Sequence, residues 1–75
     1  MDTNAISKLS LLSVVALLDD RPADKLARGQ VGTVVELLAD DRVLVEFSDD
    51  TGRPYAVVPC ASTDLLVLHH EPQAA

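Results

Sequence analysis

The 75-residue chain has little aromatic material: one Phe (Phe47), one Tyr (Tyr55) and no Trp. Few large anchors are therefore present for a core, and few platforms on which nucleic-acid bases could stack. Positive charge is also scarce. Six Lys and Arg stand against 12 Asp and Glu, a net charge of −6. Phosphate neutralisation by basic side chains supplies much of nucleic-acid affinity, and anionic lipid attracts basic segments, so this balance argues against both partners. A basic partner protein suits the sign, although net acidity also simply confers solubility. A single cysteine, Cys60, excludes an internal disulfide and a thiolate metal cluster within one chain, which makes the reducing cytoplasm the expected compartment. The apolar run Leu9–Leu18 follows Lys8, but Asp2 spoils a positive start, no small-x-small cleavage site follows, and the run is too short to span a bilayer.

What is present is Leu, Val and Ala: 48% of residues are hydrophobic, ample for one small globular domain. Short apolar runs separated by turn signals are the mark of an all-β fold. The first run, about Leu11–Leu18, reads as a strand. Ala5–Leu12 reads alternatively as a short helical turn capped by Asn4, with Ile6, Leu9 and Leu12 on one side. Asp19-Asp20-Arg21-Pro22 stops the strand, and a polar loop runs to Gly29 with Leu26 expected to fold back as a plug. Val31–Leu38 is the second strand; period-two counting puts Val31, Thr33, Val35 and Leu37 on one face, and Glu36 marks the other as partly wet. Asp40-Asp41 makes a tight turn. Arg42–Phe47 then alternates, with Val43, Val45 and Phe47 inward and Arg42 and Glu46 outward. Ser48–Gly52 closes a second hairpin with Gly52 at positive φ. Pro54–Val58 is expected to end at Pro59, Cys60–Thr63 to make a one-turn connector, and Leu65–Leu68 to form the last strand.

Five strands with a long first loop and two tight central hairpins are the layout of a small SH3-like barrel, whose curling reduces exposed sheet edges. The expected organisation is an N-terminal arm or short helical turn over residues 1–10, the barrel over 11–68 and a flexible tail over 69–75.

Arg28-Gly29-Gln30-Val31-Gly32-Thr33-Val34-Val35-Glu36, followed by Val45-Glu46-Phe47, Asp50-Thr51-Gly52-Arg53 and Tyr55-Ala56, is distinctive. With Leu12–Leu18 and Asp64–Leu68 it resembles the bacterial domain-of-unknown-function family 4926. That resemblance covers about Leu11–Leu68 and implies a small stand-alone SH3-like protein without an established activity. It also implies an antitoxin or immunity role beside a toxin-like partner. Ser13 stands where relatives are expected to carry an acidic residue. The Gly29-x-x-Gly32-x-Val34 stretch also looks like the KOW element of ribosomal and transcription proteins, but both glycines have a structural explanation: a sharp turn into the strand, and a close backbone approach early in it.

No pattern carries catalysis or metal binding. His69-His70-Glu71 offers adjacent side chains that point to opposite strand faces, with no third nitrogen or thiolate nearby. Cys60 has no basic neighbour in sequence to activate it. Asp49-Asp50-Thr51-Gly52 lacks the alternating ligands and terminal Glu of a calcium loop. The paired aspartates suit turns, where a carboxylate accepts from nearby amides. Arg53 is placed to pair across its own turn with Asp49 or Asp50. The expectation is a non-enzymatic, acidic protein-binding module without cofactor. Its candidate binding residues are Asp40, Asp41, Asp49, Asp50, Arg53 and Tyr55, the hairpin tips combining into one acidic patch toward a basic partner. A KOW-like nucleic-acid or ribosome-associated domain and an accessory subunit of a larger enzyme complex are the alternatives. Oligomeric state is not legible.

Overall fold

A computed structural model describes residues 9–69 of the chain. Five antiparallel strands form one sheet: β1 Val14–Leu17, β2 Val31–Leu38, β3 Arg42–Ser48, β4 Pro54–Ala61 and β5 Leu65–Val67. Their order is β4-β3-β2-β1-β5, so the all-β expectation holds. The only helical pieces among the described residues are single 3-10 turns at Pro22–Asp24 and Ser62–Asp64.

β4 and β5 are the two edges of this sheet and do not pair, so no closed hydrogen-bonded barrel forms. They are nevertheless consecutive in the chain, joined only by Ser62–Asp64. Four strand spacings would separate the edges of a flat sheet by about 19 Å. The four Cα steps from Ala61 to Leu65 reach at most about 14 Å. The sheet must therefore curl. A further link holds the curl: Arg21, beyond the end of β1, donates from Nη2 to the Pro59 carbonyl of β4 at 3.3 Å. The Leu18 N–H, donating to the Asp64 carbonyl at 3.0 Å, extends the β1–β5 pairing into the connector.

The core fills the inside of the curl. Val15, Val34, Val45 and Phe47 are wholly buried, with Leu17, Val43, Val58, Cys60 and Leu65 packed beside them. Val43, Val45 and Phe47 point inward as their alternation predicts, and Leu26 plugs the core from the first loop. Gly32 opposes Phe47; a Cβ there would meet Val45 Cγ1 at 2.6 Å, so the strand's early glycine makes room for the aromatic ring.

Four local expectations change. In β2 it is Gly32 and Val34 that face the core, while Val31 and Val35 are exposed; Leu37, paired with core-facing Val43, returns to the inner side but stays half exposed. A bulge between Val34 and Glu36 breaks the period, so no single alternation describes the strand. The first strand begins only at Val14, because Leu12 has φ 70° and the Ser13 N–H donates back to the Ser10 carbonyl in a turn. The proposed helical turn falls partly outside the described residues, and Leu9–Leu12 forms no helix. β4 continues through Pro59 to Ala61, since a proline without an N–H is tolerated on an edge strand. Cys60 thus belongs to β4, the connector being Ser62–Asp64.

Candidate functional site

Asp40 and Asp41 join β2 to β3 with consecutive positive φ values of 61°, a conformation that Asp tolerates better than most residues. Asp49 and Asp50 lie in the connection from β3 to β4. The two tips flank opposite ends of β3, a seven-residue strand about 20 Å long. The structure therefore does not bring the acidic pairs into one patch.

Asp49 is also occupied at home. Its Oδ1 accepts from the Thr51 N–H (2.9 Å), the Thr51 hydroxyl (2.8 Å) and the Arg53 N–H (3.0 Å). The hydroxyl of Thr51, and then the amides of Arg53 and Thr51, hold this carboxyl below its ordinary value. Arg53 meets Asp49 through its backbone; the one ion pair among the described residues is Arg21–Asp24, at 3.0 Å. Asp50 is exposed.

Tyr55 sits in a second bulge, where Phe47 pairs with Ala56 but Ser48 pairs with Pro54. Its hydroxyl accepts from Gln30 Nε2, and Gln30 Oε1 in turn accepts from the Ala27 N–H at 2.6 Å. The ring therefore reaches from the edge strand toward the residue preceding β2. Because Ala56 packs on the core, Val57 faces the opposite, outer side of the sheet, and Tyr55, the extra residue of the bulge, is exposed at the edge beside it.

That outer side is where sequence reasoning missed most. Cross-strand partners share a face. One outer row runs Leu66–Ala16–Val31 across β5, β1 and β2. The next runs Val14–Thr33–Glu46–Val57, and a third runs Glu36–Leu44–Pro59. Val31 is 48% exposed, Tyr55 48%, Val57 52% and Leu66 52%. A wet sheet face normally alternates to polar residues; here apolar side chains dominate it. The signal was legible in β1 and β4, whose Val-Val-Ala-Leu and Tyr-Ala-Val-Val-Pro runs are apolar at consecutive positions rather than alternate ones.

Other features are less promising. Two clefts of about 180 and 170 Å³ flank Leu9, smaller than usual small-molecule sites. Cys60 is 1% exposed, and burial pushes its thiol up, against the opposing pull of Arg21. Ser13, in place of the expected acid, accepts from the Ser10 N–H at 3.1 Å. His69 is exposed, and His70 and Glu71 lie outside the described residues. No group of His, Cys, Asp or Glu among the described residues is arranged to hold a metal, and no helix there is long and apolar enough to cross a membrane.

The fold and surface define a small, acidic, all-β domain built on one curled sheet with an apolar outer face. The chain belongs to the family described as a domain of unknown function (DUF4926), whose model matches residues 11–67. No curated protein and no solved structure matches it.

Proposed function

We propose that this chain is a non-catalytic protein-binding module with an SH3-like arrangement, acting in the cytoplasm as the partner of another protein, in the manner of an antitoxin or immunity protein. The observation that carries the reading is the set of large apolar side chains left in solvent, Val31, Tyr55, Val57 and Leu66 among them. Extended apolar patches on a small domain mark interaction surfaces. The SH3-like arrangement is supported by the long first loop, the two short central hairpins, the bulge that bends β2 and the one-turn link into β5. The glycines of the KOW-like stretch serve the fold: Gly32 admits Phe47, and Gly29 has φ 89° at the end of the first loop. Their presence therefore lends the nucleic-acid reading no weight.

Affinity purification of the tagged chain from its native host, with mass spectrometry, tests the reading. The expected outcome is a protein retained in near-stoichiometric amount, in a complex that survives nuclease treatment. Retention of nucleic acid alone, or of no macromolecule, refutes it.

A further inference from the structure

The outer face carries charge as well as apolar surface, and the two together define a partner. Glu46 lies on the central row between Thr33 and Val57 and is half-buried there. Among the described residues it has neither an ion-pair nor a side-chain hydrogen-bond partner. Glu36, one row further along, is a second carboxylate on the same side. The first cation in register on this face is Arg42, in the row beyond Glu36. Flanked by Val57 and Thr33, with Val14 beyond Thr33 in the same row, the Glu46 carboxylate would lose hydration if the patch were covered, a cost that an opposite charge offsets best.

A second copy of the chain meets this requirement poorly. A twofold contact centred on Glu46 sets it against its own counterpart, where like charges are disfavoured. One centred on Leu44, which would bring Glu46 to the copy's Arg42, lies off the exposed apolar rows of Val31, Val57 and Leu66. An anionic lipid surface is disfavoured by the same carboxylates and by the net charge of −6. We infer that the outer face, from Leu66 through Val31 to Val57 and Tyr55, docks a different protein that presents an Arg or Lys within an apolar surface, the cation pairing with Glu46. This rests on the protein-binding reading and adds to it the surface used and the chemistry of the partner. Tyr55 enters the site already positioned by Gln30, so less side-chain freedom is lost on binding.

The test places a photo-crosslinking amino acid at Val57 or Leu66 on the outer face, and at Asp40 or Lys25 elsewhere, in the full chain inside its host. Any protein trapped is then purified and titrated against the wild type, Glu46→Gln and Glu46→Arg. Circular dichroism checks that each variant is folded. The expected result is a heterologous protein adduct from Val57 and Leu66 but not from Asp40 or Lys25. Its affinity should fall several-fold for Glu46→Gln and about tenfold or more for Glu46→Arg, with a weaker salt dependence in the Gln variant. Adducts only from Asp40 or Lys25 overturn the docking face while leaving a protein-binding module. Adducts with a second copy, lipid or RNA overturn the partner's identity, and unchanged affinity in both Glu46 variants overturns its chemistry. Absence of any adduct from all four positions removes this proposal and the protein-binding reading together.

Discussion

A Cβ placed on Gly32 lies 2.6 Å from Val45 Cγ1, 2.9 Å from Phe47 Cδ1 and 2.9 Å from the Glu46 carbonyl oxygen. The last of these is backbone and cannot rotate aside, so Gly32→Ala is expected to cost about 1–3 kcal/mol by overpacking. Gly52 is different: its Cβ would meet nothing, but φ is 84°. Gly52→Val should cost roughly 1–3 kcal/mol through backbone strain, and Gly52→Asn distinctly less, because Asn tolerates the left-handed region. Urea unfolding of the three variants separates a steric from a conformational requirement. If Gly52→Val and Gly52→Asn prove equally stable, the positive φ is not what selects glycine. Asp49 offers a pH test. Its carboxyl is held low by Thr51 and Arg53, so its stabilising effect is complete above the ordinary Asp value of about 3.9 and is lost as pH falls through the lowered one. The Thr51 and Arg53 amide resonances should therefore titrate below that ordinary value, and Asp49→Asn should abolish the titration. Asp49→Ala should lower the melting temperature more than Asp50→Ala.

At the scale of elements, β4 is a long edge strand, a feature that invites unwanted pairing. Pro59 lacks a donor, and Arg21 covers its carbonyl while lying 3.5 Å from the Cys60 sulfur. Arg21 is itself held by Asp24 at the turn after β1. Removing this strap should loosen the end of β4 and open a path to the buried thiol. In the wild type, Cys60 should react with a thiol reagent only as fast as the domain opens; Arg21→Met should accelerate that reaction and the hydrogen exchange of nearby β4 amides. Equal reactivity in both proteins would mean that the strap does not protect the edge. The bulges belong to this scale too. The one in β2 reverses which residues face inward after Val34, and the one in β4 leaves Tyr55 exposed at the sheet edge.

For the molecule as a whole, far-ultraviolet circular dichroism should be that of a β protein with little helix. No binding to generic DNA or RNA should be measurable near physiological salt, where even non-specific binders reach about 10⁻⁴ to 10⁻⁶ M. How much of this was legible in the sequence depends on the element. β3 alternates strictly because one of its faces is core, so its inward residues could be read directly. The turns could be read as well, because Asp40, Asp41 and Gly52 are residue types that accept positive φ. In β2 the pattern misled. A glycine held the core position opposite Phe47, and a bulge, which leaves no mark in hydrophobicity, shifted the phase. The acidic patch failed for a topological reason: successive hairpin tips lie at opposite ends of the strand they share. The outer face escaped notice because apolar residues on both sides of a strand read as two buried faces, when one of them is open to solvent.

The one-turn link between the two sheet edges also bears on the order of assembly. β2, β3 and β4 form a meander closed by short connections, whereas Val15 pairs with Val67 across almost the entire described chain. Loop closure of that length costs entropy before any contact offsets it. The meander should therefore form the folding nucleus, with β1 and β5 zipping together on the downhill side of the barrier. Val45→Ala should chiefly slow refolding, while Val67→Ala should leave refolding nearly unchanged and speed unfolding. Stopped-flow chevrons of these two variants would reveal the sequence of events, and the opposite partition would mean that the chain closes its ends first.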